Sequence, residues 1–338
     1  EGTESLVQVC DATGEDIGGT VFSSAGVGNR ESYDGQLTIR GSGKLIAKGG
    51  ALDNSNNLKQ GQRTSTGIYC FAKELVIKEN AVIEAYGGES KSSFGPAYSA
   101  GIKGNRVTIA DNANITARGG DVCAAESRTS YGMRPFNSLS IGDNAVVRCY
   151  GGNVTKQGEG DTEYSYSGGI RTSEISLSSY ARVYAFGGKS LNQAANSAGI
   201  YLYNKSNKQM VANVSDNSFL YAEGGISEGS NFGIAVYRYN VNENTNQTLT
   251  VSGNAYIKAI GRESRDDNSC KCMGLDFKTI HINGGTVVAS AETTVSKGSI
   301  EAISPAPTYA DDLTPTVKSG ESEGTAAYAD ATAAETYK

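Results

Sequence analysis

Seven aromatic and three arginine side chains recur at matching positions of a repeated segment in this chain, and their chemistry suits sugar recognition. Aromatic rings offer a flat apolar surface to sugar C–H groups, and arginine donates paired hydrogen bonds to carboxylates. A contiguous exposed apolar surface usually marks a binding or packing site. We therefore expect a ligand-binding platform formed by Tyr86, Arg118, Arg148, Tyr150, Arg182, Tyr184, Phe186, Phe219, Tyr221 and Tyr256.

The same rings also have a structural interpretation. Cross-strand aromatic pairs stabilise a sheet by themselves, and variable loops or the C-terminal tail could cover the rings. Both interpretations stay open at this point. A second candidate surface lies in predicted loops that carry Tyr98, Tyr131, Tyr164 and Tyr166, because binding residues concentrate on loops above a rigid scaffold.

Acidic residues recur at a predicted corner of the repeat, at Glu79, Asp111, Asp143 and Asp216. Stacked corners would place neighbouring carboxylates about 5 Å apart, and a bound Ca²⁺ with oxygen ligands could relieve the repulsion. Asp and Asn are also ordinary turn formers, and we favour that structural role. The sequence therefore predicts no cofactor, with Ca²⁺ at this corner as the alternative.

Catalytic signals are weak. A glycoside hydrolase needs two carboxylates on either side of the scissile bond, and the pairs Asp266-Asp267 and Asp311-Asp312 have no second acidic partner at a recognisable spacing. The single histidine, His281, stands between two inward apolar residues, so we expect it to face solvent without a partner that orients a base. The sequence therefore favours a protein that is not an enzyme.

The six cysteines predict neither a disulfide framework nor a zinc site. Cys149 replaces an inward alanine, and Cys70 is also expected to point inward. Cys270 and Cys272 share a predicted loop without a second ligand pair, and Cys10 and Cys123 have no assigned role.

The element that positions these residues is a sequence repeat whose copies begin 31 to 38 residues apart. Such a period is typical of stacked supersecondary units. The eight copies are LTIRGSGKLIAKGG (from Leu37), LVIKENAVIEAYGG (Leu75), VTIADNANITARGG (Val107), LSIGDNAVVRCYGG (Leu139), ISLSSYARVYAFGG (Ile175), ANVSDNSFLYAEGG (Ala212), LTVSGNAYIKAIGR (Leu249) and IHINGGTVVASA (Ile280).

Each copy predicts two short strands of period 2, separated by a corner at which Asn112 and its counterparts adopt a left-handed backbone. A Gly-Ile or Gly-apolar pair marks a third strand after a variable loop. The fold class is all-β: a parallel β-helix of about eight coils, each with three short strands. Inward columns run through Ile83, Ile115 and Val147, and through Ala85, Ala117 and Cys149. A β-sandwich would need antiparallel hairpins.

The ends depart from the repeat. We expect residues 1–36 to be a degenerate first coil that caps the core, residues 37–304 to form the β-helix, and the Ala/Thr/Glu-rich tail 305–338 to pack on the solenoid.

The net charge of −6 and the absence of a long basic run argue against nucleic-acid binding. No stretch approaches the roughly 20 apolar residues that span a bilayer, so membrane insertion is not expected.

The consensus hxIxxNAxhxAxGG with its following Gly-Ile resembles the right-handed parallel β-helices of the pectin-lyase-like superfamily. It is similar in particular to Gly-rich β-helical surface proteins of Gram-positive gut bacteria. The resemblance implies right-handed winding and an extracellular or cell-surface location. The superfamily includes polysaccharide lyases, glycoside hydrolases and non-catalytic carbohydrate-binding or adhesive members, and the fold does not choose among them. Because the platform is present and no catalytic motif is recognisable, we expect a non-catalytic carbohydrate-binding or adhesin-like protein whose partner is a polysaccharide or a host or cell-wall glycan. An acidic-polysaccharide lyase, a glycoside hydrolase and a structural stalk are the alternatives.

Overall fold

The repeated sequence pattern determines where the backbone forms strands and where it turns. Alternating apolar and polar residues form short strands, and glycine or left-handed residues form the corners between them. The fold is known from a computed structural model, which describes residues 6–12, 21–28, 35–54, 62–70, 72–93, 95–156, 165–191, 195–204, 209–236, 246–262, 270–291, 299–304, 308–309, 316–319 and 326–330. This part of the chain is all-β without a helix, and forms a parallel β-solenoid of about six turns.

Strands follow one another along the described ranges, with turns and loops between them. They are β1 (Leu6–Ala12), β2 (Val21–Gly28), β3 (Gln36–Ile39), β4 (Lys44–Gly49), β5 (Leu52–Asn54), β6 (Gln62–Cys70), β7 (Glu74–Ile77), β8 (Val82–Tyr86), β9 (Ser90–Ser92), β10 (Ala97–Ile109), β11 (Asn114–Arg118), β12 (Val122–Ala124), β13 (Arg128–Ile141), β14 (Val146–Tyr150), β15 (Val154–Lys156), β16 (Ser165–Thr172), β17 (Glu174–Leu177), β18 (Arg182–Phe186), β19 (Ser190–Leu191), β20 (Ala195–Leu202), β21 (Gln209–Val214), β22 (Phe219–Glu223), β23 (Asn231–Val236), β24 (Asn246–Gly261), β25 (Lys271–Asp276), β26 (Thr279–Ala291), β27 (Ser299–Ser304), β28 (Thr308–Tyr309), β29 (Thr316–Ser319) and β30 (Ala326–Asp330).

Three long ladders of parallel strands run along the solenoid. A shorter fourth ladder joins β5, β9, β12, β15 and β19, where the sequence predicted a variable loop. The first-strand ladder joins β3, β7, β10, β13, β17, β21, β24, β26 and β28. The second-strand ladder joins β1, β4, β8, β11, β14, β18, β22, β24 and β26. The third-strand ladder joins β2, β6, β10, β13, β16, β20, β23, β25 and β27. The sequence prediction of a parallel β-helix is confirmed, but the described residues form about six turns where about eight coils were predicted. The β-sandwich alternative is wrong.

The core lies inside the coil, where like residues stack on like. Ile83, Ile115 and Val147 are in register and buried, and so are Ala85 and Ala117 beside them. Burial of a Val, Leu or Ile side chain contributes about 1.5–3 kcal/mol. The predicted Gly-apolar pairs supply the third wall of the core, with buried residues Ile68, Ile102, Met133, Ile170, Ile200, Ile234 and Leu275.

The corner between the first two strands differs from the prediction by one residue. The left-handed residue is the one before the asparagine: Asp111 has φ 58° and Asp143 has φ 54°. The asparagines instead stack their amides. Asn112 Nδ2 donates to Asn80 Oδ1 at 3.1 Å, and Asn144 Nδ2 donates to Asn112 Oδ1 at 3.2 Å. Both residue types tolerate this conformation, so the sequence alone did not decide between them.

Where the corner is Gly-Gly, it leaves no room for a side chain; the seventh copy has Gly261-Arg262 instead. A Cβ on Gly120 would lie 2.4 Å from the carbonyl oxygen of Gly88, one coil away, and a Cβ on Gly119 would lie 2.3 Å from Ser130 Oγ. The corner therefore requires glycine because backbones and hydroxyls of adjacent coils fill the space.

A column of serine hydroxyls bridges these corners from coil to coil. Ser130 Oγ donates to the carbonyl of Gly120 at 2.7 Å and accepts the N–H of Gly152 at 2.9 Å. Ser65, Ser99, Ser167 and Ser197 repeat the arrangement. Each serine precedes the Gly-apolar pair by two residues, a signal that the sequence analysis missed.

The two ends extend the ladders differently. Strands β1 and β2 continue the parallel ladders at the N-terminal end. Strand β30, from the predicted tail, pairs antiparallel with β26 and with β29. The edge of the second-strand ladder thus acquires a partner of opposite direction, which protects it from pairing with other chains. The predicted boundaries at residues 36 and 304 remain predictions.

Replacing Gly120 by alanine is expected to destabilise the protein by about 1–3 kcal/mol or more, because the new methyl group meets rigid backbone. Gly142→Ala is the matched control, since the nearest atom to its Cβ is Ser178 Oγ at 3.5 Å. Thermal and urea unfolding measure both variants. Equal stability of the two variants would contradict the proposed packing of the corner.

Replacing Ser130 by alanine leaves the Gly120 carbonyl and the Gly152 N–H, both on half-buried residues, without their partner, which is expected to lower the free energy of unfolding by about 1–3 kcal/mol. Ser176→Ala, on an exposed position of β17, should change the free energy of unfolding by less than about 0.5 kcal/mol. An unchanged urea midpoint for Ser130→Ala would show that the hydroxyl column does not stabilise the fold.

Candidate functional site

The predicted platform lies on the outer face of the second-strand ladder. Tyr150 is in register with Arg118 on one side and Phe186 on the other, and Tyr184 is in register with Arg148 and Tyr221. Six rings form a continuous band across β14, β18, β22 and β24, which we name the aromatic stripe. Its members are the half-buried residues Tyr150, Tyr184, Phe186, Phe219, Tyr221 and Tyr256.

The rings of the stripe contact one another along the solenoid axis. Tyr150 and Phe186 are stacked with centroids 5.1 Å apart, and Phe219 and Tyr256 are stacked at 5.4 Å. Tilted pairs complete the band, with Phe186 5.5 Å from Tyr221. Such pairs add about 0.5–1.5 kcal/mol beyond area burial. The rings therefore stabilise the sheet, while part of each ring stays exposed.

The arginines of the platform lie around this stripe. Arg118 Cζ is 3.9 Å from the Tyr150 ring centroid, so the guanidinium covers that ring. Arg148 Nη1 donates to Asn114 Oδ1 at 3.0 Å. Arg118 and Arg182 are exposed, and their N–H groups face solvent beside the aromatic surface.

Tyr86 lies outside the stripe, within a polar cluster at one end of the platform. Its hydroxyl donates to Glu84 Oε2 at 3.2 Å, and Lys44 Nζ lies 2.6 Å from Glu84 Oε1. The hydrogen bond from Lys44 lowers the pKa of Glu84, whereas burial and then the Glu84 charge raise the pKa of Tyr86. This end of the platform is therefore polar.

A groove of about 470 Å³ borders the stripe at the Gly-Gly corners. Phe186 forms its apolar wall, and Asn153, Lys189, Glu223 and Arg262 supply polar groups. Arg262 Nε lies 2.6 Å from Glu223 Oε1, and the Tyr221 hydroxyl donates to Glu223. The groove thus places hydrogen-bond donors and an acceptor beside an aromatic ring.

The sequence analysis missed most of the groove. One feature of the sequence indicates the groove: the seventh repeat ends in Gly261-Arg262, whereas most of the other copies end in Gly-Gly. An arginine at that position projects from a corner that otherwise carries no side chain. Asn153 and Lys189 directly follow the Gly-Gly pairs of their own repeats.

Glu223 is the sole carboxylate among the described residues that line the groove. Hydrolysis of a glycosidic bond by the usual route uses a pair of carboxyl groups about 5–9.5 Å apart. The groove offers one carboxylate, and Arg262 already pairs with it. Its chemistry fits hydrogen bonding to hydroxyl groups.

The corner carboxylates bind backbone. Asp111 Oδ2 accepts the N–H of Glu79 at 2.8 Å, Asp143 Oδ2 accepts the N–H of Asp111 at 3.0 Å, and Asp216 Oδ2 accepts the N–H of Ser179 at 2.8 Å. No group of three or more His, Cys, Asp or Glu side chains converges within the described ranges. Each of these three aspartates therefore holds the left-handed corner of the adjacent coil.

The remaining tyrosine prediction is wrong where the structure describes it. Tyr98, Tyr131 and Tyr166 lie in strands β10, β13 and β16, and Tyr131 is 1% exposed. The third strand begins earlier than the Gly-apolar pair suggested, so these residues belong to the sheet. Tyr164 lies outside the described residues, as do Asp266-Asp267 and Asp311-Asp312.

The histidine and most of the cysteines lie in strands. His281 is half-buried and its Nδ1 lies 2.6 Å from Thr308 Oγ1, a partner that the sequence did not predict. Cys70 and Cys149 are buried as expected, and burial raises the pKa of both thiols. Cys272 lies in β25, where a loop was predicted, and its Sγ contacts the Arg262 carbonyl. The Cys10 side chain lies outside what the structure describes.

Comparisons with protein-family models, with curated proteins and with solved structures return no match. Among the described residues, no helix has the length and apolar character to cross a membrane. The class that fold and site define is a parallel β-solenoid with an aromatic outer face.

Replacing Asp143 by asparagine is expected to leave stability nearly unchanged, because asparagine keeps an acceptor oxygen and tolerates the left-handed corner. Asp143→Ala removes the acceptor oxygen and the tolerance of the left-handed corner, so it should lower the free energy of unfolding by about 1–2 kcal/mol. Unfolding is measured with and without EDTA. If a calcium ion stabilised this column, Asp143→Asn and Asp143→Ala would lower the free energy of unfolding equally. EDTA would then destabilise the wild type by the same amount.

Proposed function

We propose that this protein is a non-catalytic, extracellular carbohydrate-binding or adhesin-like β-solenoid. The aromatic stripe and the adjoining groove are its binding site, and the partner is a polysaccharide or a host or cell-wall glycan. The right-handed winding and the likeness to the pectin-lyase-like superfamily belong to the proposal, because they rest on the repeat consensus.

The observation that carries the proposal is the groove. A sugar ring needs an apolar surface for its C–H face and polar groups for its hydroxyls. Phe186 supplies the first, and Glu223, Arg262 and Lys189 supply the second within the same lining. The stripe continues this surface over neighbouring coils.

The spacing of the coils favours an extended glycan. Adjacent parallel strands lie about 4.8 Å apart, which is comparable with the length of one pyranose ring. A chain that runs along the solenoid axis would place successive sugars over successive coils. Exposed Arg118 and Arg182 beside the stripe would then bind carboxylates of uronic acids, since guanidinium forms paired hydrogen bonds with them.

The absence of a carboxylate pair in the described groove supports binding without cleavage. Glu223 would act as a hydrogen-bond acceptor for a hydroxyl group, and Arg262 fixes its position. Incubation with polygalacturonate and related polymers, with and without Ca²⁺, should release neither unsaturated products nor new reducing ends. Release of either product would overturn the non-catalytic assignment.

A glycan array followed by isothermal titration tests the site. Loss of one aromatic contact of about 0.5–1.5 kcal/mol predicts an affinity that is weaker by roughly two- to tenfold for Phe186→Ala, and Arg262→Ala should also weaken binding. Tyr180→Ala is the matched control, because Tyr180 is 59% exposed but lies at the other corner of the coil. The proposal fails if no glycan binds, or if Phe186→Ala and Tyr180→Ala both bind as the wild type does.

A further inference from the structure

Three cationic residues occupy one column on a different face of the solenoid, on the third-strand ladder. Lys103 is in register with Arg134, and Arg171 follows Ile170, the partner of Met133, so it takes the same place on the next coil. Adjacent strands lie about 4.8 Å apart. The column therefore brings three positive charges together on neighbouring coils, and we name it the cation column.

Aromatic rings surround the cation column. Lys103 Nζ lies 4.3 Å from the Tyr69 ring centroid, and Arg171 Cζ lies 4.0 Å from that of Tyr203. Arg134 Cζ lies 5.5–5.9 Å from three rings, those of Tyr98, Phe136 and Tyr131. Each such contact is worth about 0.5–2 kcal/mol, but a ring carries no net charge and leaves the cations uncompensated.

No carboxylate neutralises the column among the described residues. The ion pairs there join Arg40 to Glu79, Lys44 to Glu84, Lys91 to Glu89 and Arg262 to Glu223. The chain contains 36 acidic residues against 30 Lys and Arg. A shortage of carboxylates therefore does not explain the unpaired cations.

Burial opposes the positive charge of the column. Lys103 is 6% exposed, and its burial, with a contribution from the Arg134 charge, lowers its pKa to about 7. Buried cations normally have an anionic or hydrogen-bonding partner. Arg171 has a neutral hydrogen-bonding partner in Tyr131, but the described residues give the column no anionic partner.

One edge of the column reaches the surface, because Arg134 and Arg171 are half-buried although Lys103 is buried. Phe136, which contacts both Lys103 and Arg134, is 42% exposed and is one of the few large apolar side chains that face solvent within the described chain. A ligand from solvent would therefore reach Lys103 and Arg134 beside the Phe136 ring.

We propose that the cation column binds a tetrahedral oxyanion, the chemistry shared by sulfate and phosphate groups. Guanidinium groups form paired hydrogen bonds with such oxyanions, and lysine adds a point charge. Three donors from three coils match an anion that offers more than two oxygens. The site lies on the third-strand face, so it does not depend on the glycan-binding proposal for the second-strand face.

Isothermal titration of the full chain with inorganic sulfate and, separately, inorganic phosphate tests this site, with chloride at equal ionic strength as the reference. Saturable binding of either anion is expected, and the tighter one identifies the natural group. Arg134→Gln and Arg171→Gln should each weaken that binding at least tenfold. Arg106→Gln is the matched control, because Arg106 is exposed in the same strand as Lys103 but outside the column.

A second variant separates binding from folding. Lys103→Met removes the buried charge and keeps an apolar side chain of similar length, so without anion its thermal midpoint should equal or exceed that of the wild type, while its oxyanion affinity falls. The proposal is overturned if neither anion binds saturably, or if Arg134→Gln binds as tightly as the wild type. It is also overturned if Lys103→Met lowers the midpoint and leaves anion binding unchanged.

Discussion

Direct superposition of equivalent residues on successive coils is the constraint on which the rest of the structure depends. At a separation of about 4.8 Å, the Gly-Gly corner leaves no room for a Cβ, as the 2.4 Å approach at Gly120 shows. The hydroxyl of Ser130 fits beside it and bridges two coils. Inside, the same spacing places Ile115 against Val147 and Ala117 against Cys149. The interior is therefore a continuous apolar core, and serine hydrogen bonds link each Gly-Gly corner to the next.

The same constraint organises the outer faces. A residue that points outward lies beside its counterparts on the coils above and below, so its chemistry is repeated along the axis. On the second-strand face this yields the aromatic stripe, in which Tyr150 stacks on Phe186. On the third-strand face it yields the cation column, in which aromatic rings surround Lys103 and Arg134. Aromatic columns stabilise themselves, whereas a column of like charges needs counterions. The two proposals therefore assign different ligands to the two faces.

The repeat predicted most of the fold, because a period-2 pattern in register with itself has few solutions. It identified the inward positions of Ile83 and Ala85 and the third strand at Gly-Ile. It did not identify the left-handed corner residue, since Asp111 and Asn112 both tolerate that conformation and only the backbone path decides. It also missed Ser130, which a variable loop separates from the corner that it bridges. The groove was beyond prediction because Phe186, Glu223 and Arg262 come from three repeats. With no matching relative, the function rests on these side chains alone.

Distances between spin labels on equivalent corners test the superposition most directly. Asn80, Asn112 and Asn254 are exposed members of the asparagine corner column, and backbone hydrogen bonds connect successive corners from Glu79 to Asn254. Labels at Asn80 and Asn254, five coil steps apart, should lie about 24 Å from each other, and labels at Asn112 and Asn254 about 5 Å closer, as measured by pulsed electron–electron double resonance. Distances that do not decrease by about one strand spacing per coil would contradict the stacked solenoid and, with it, both proposed binding faces.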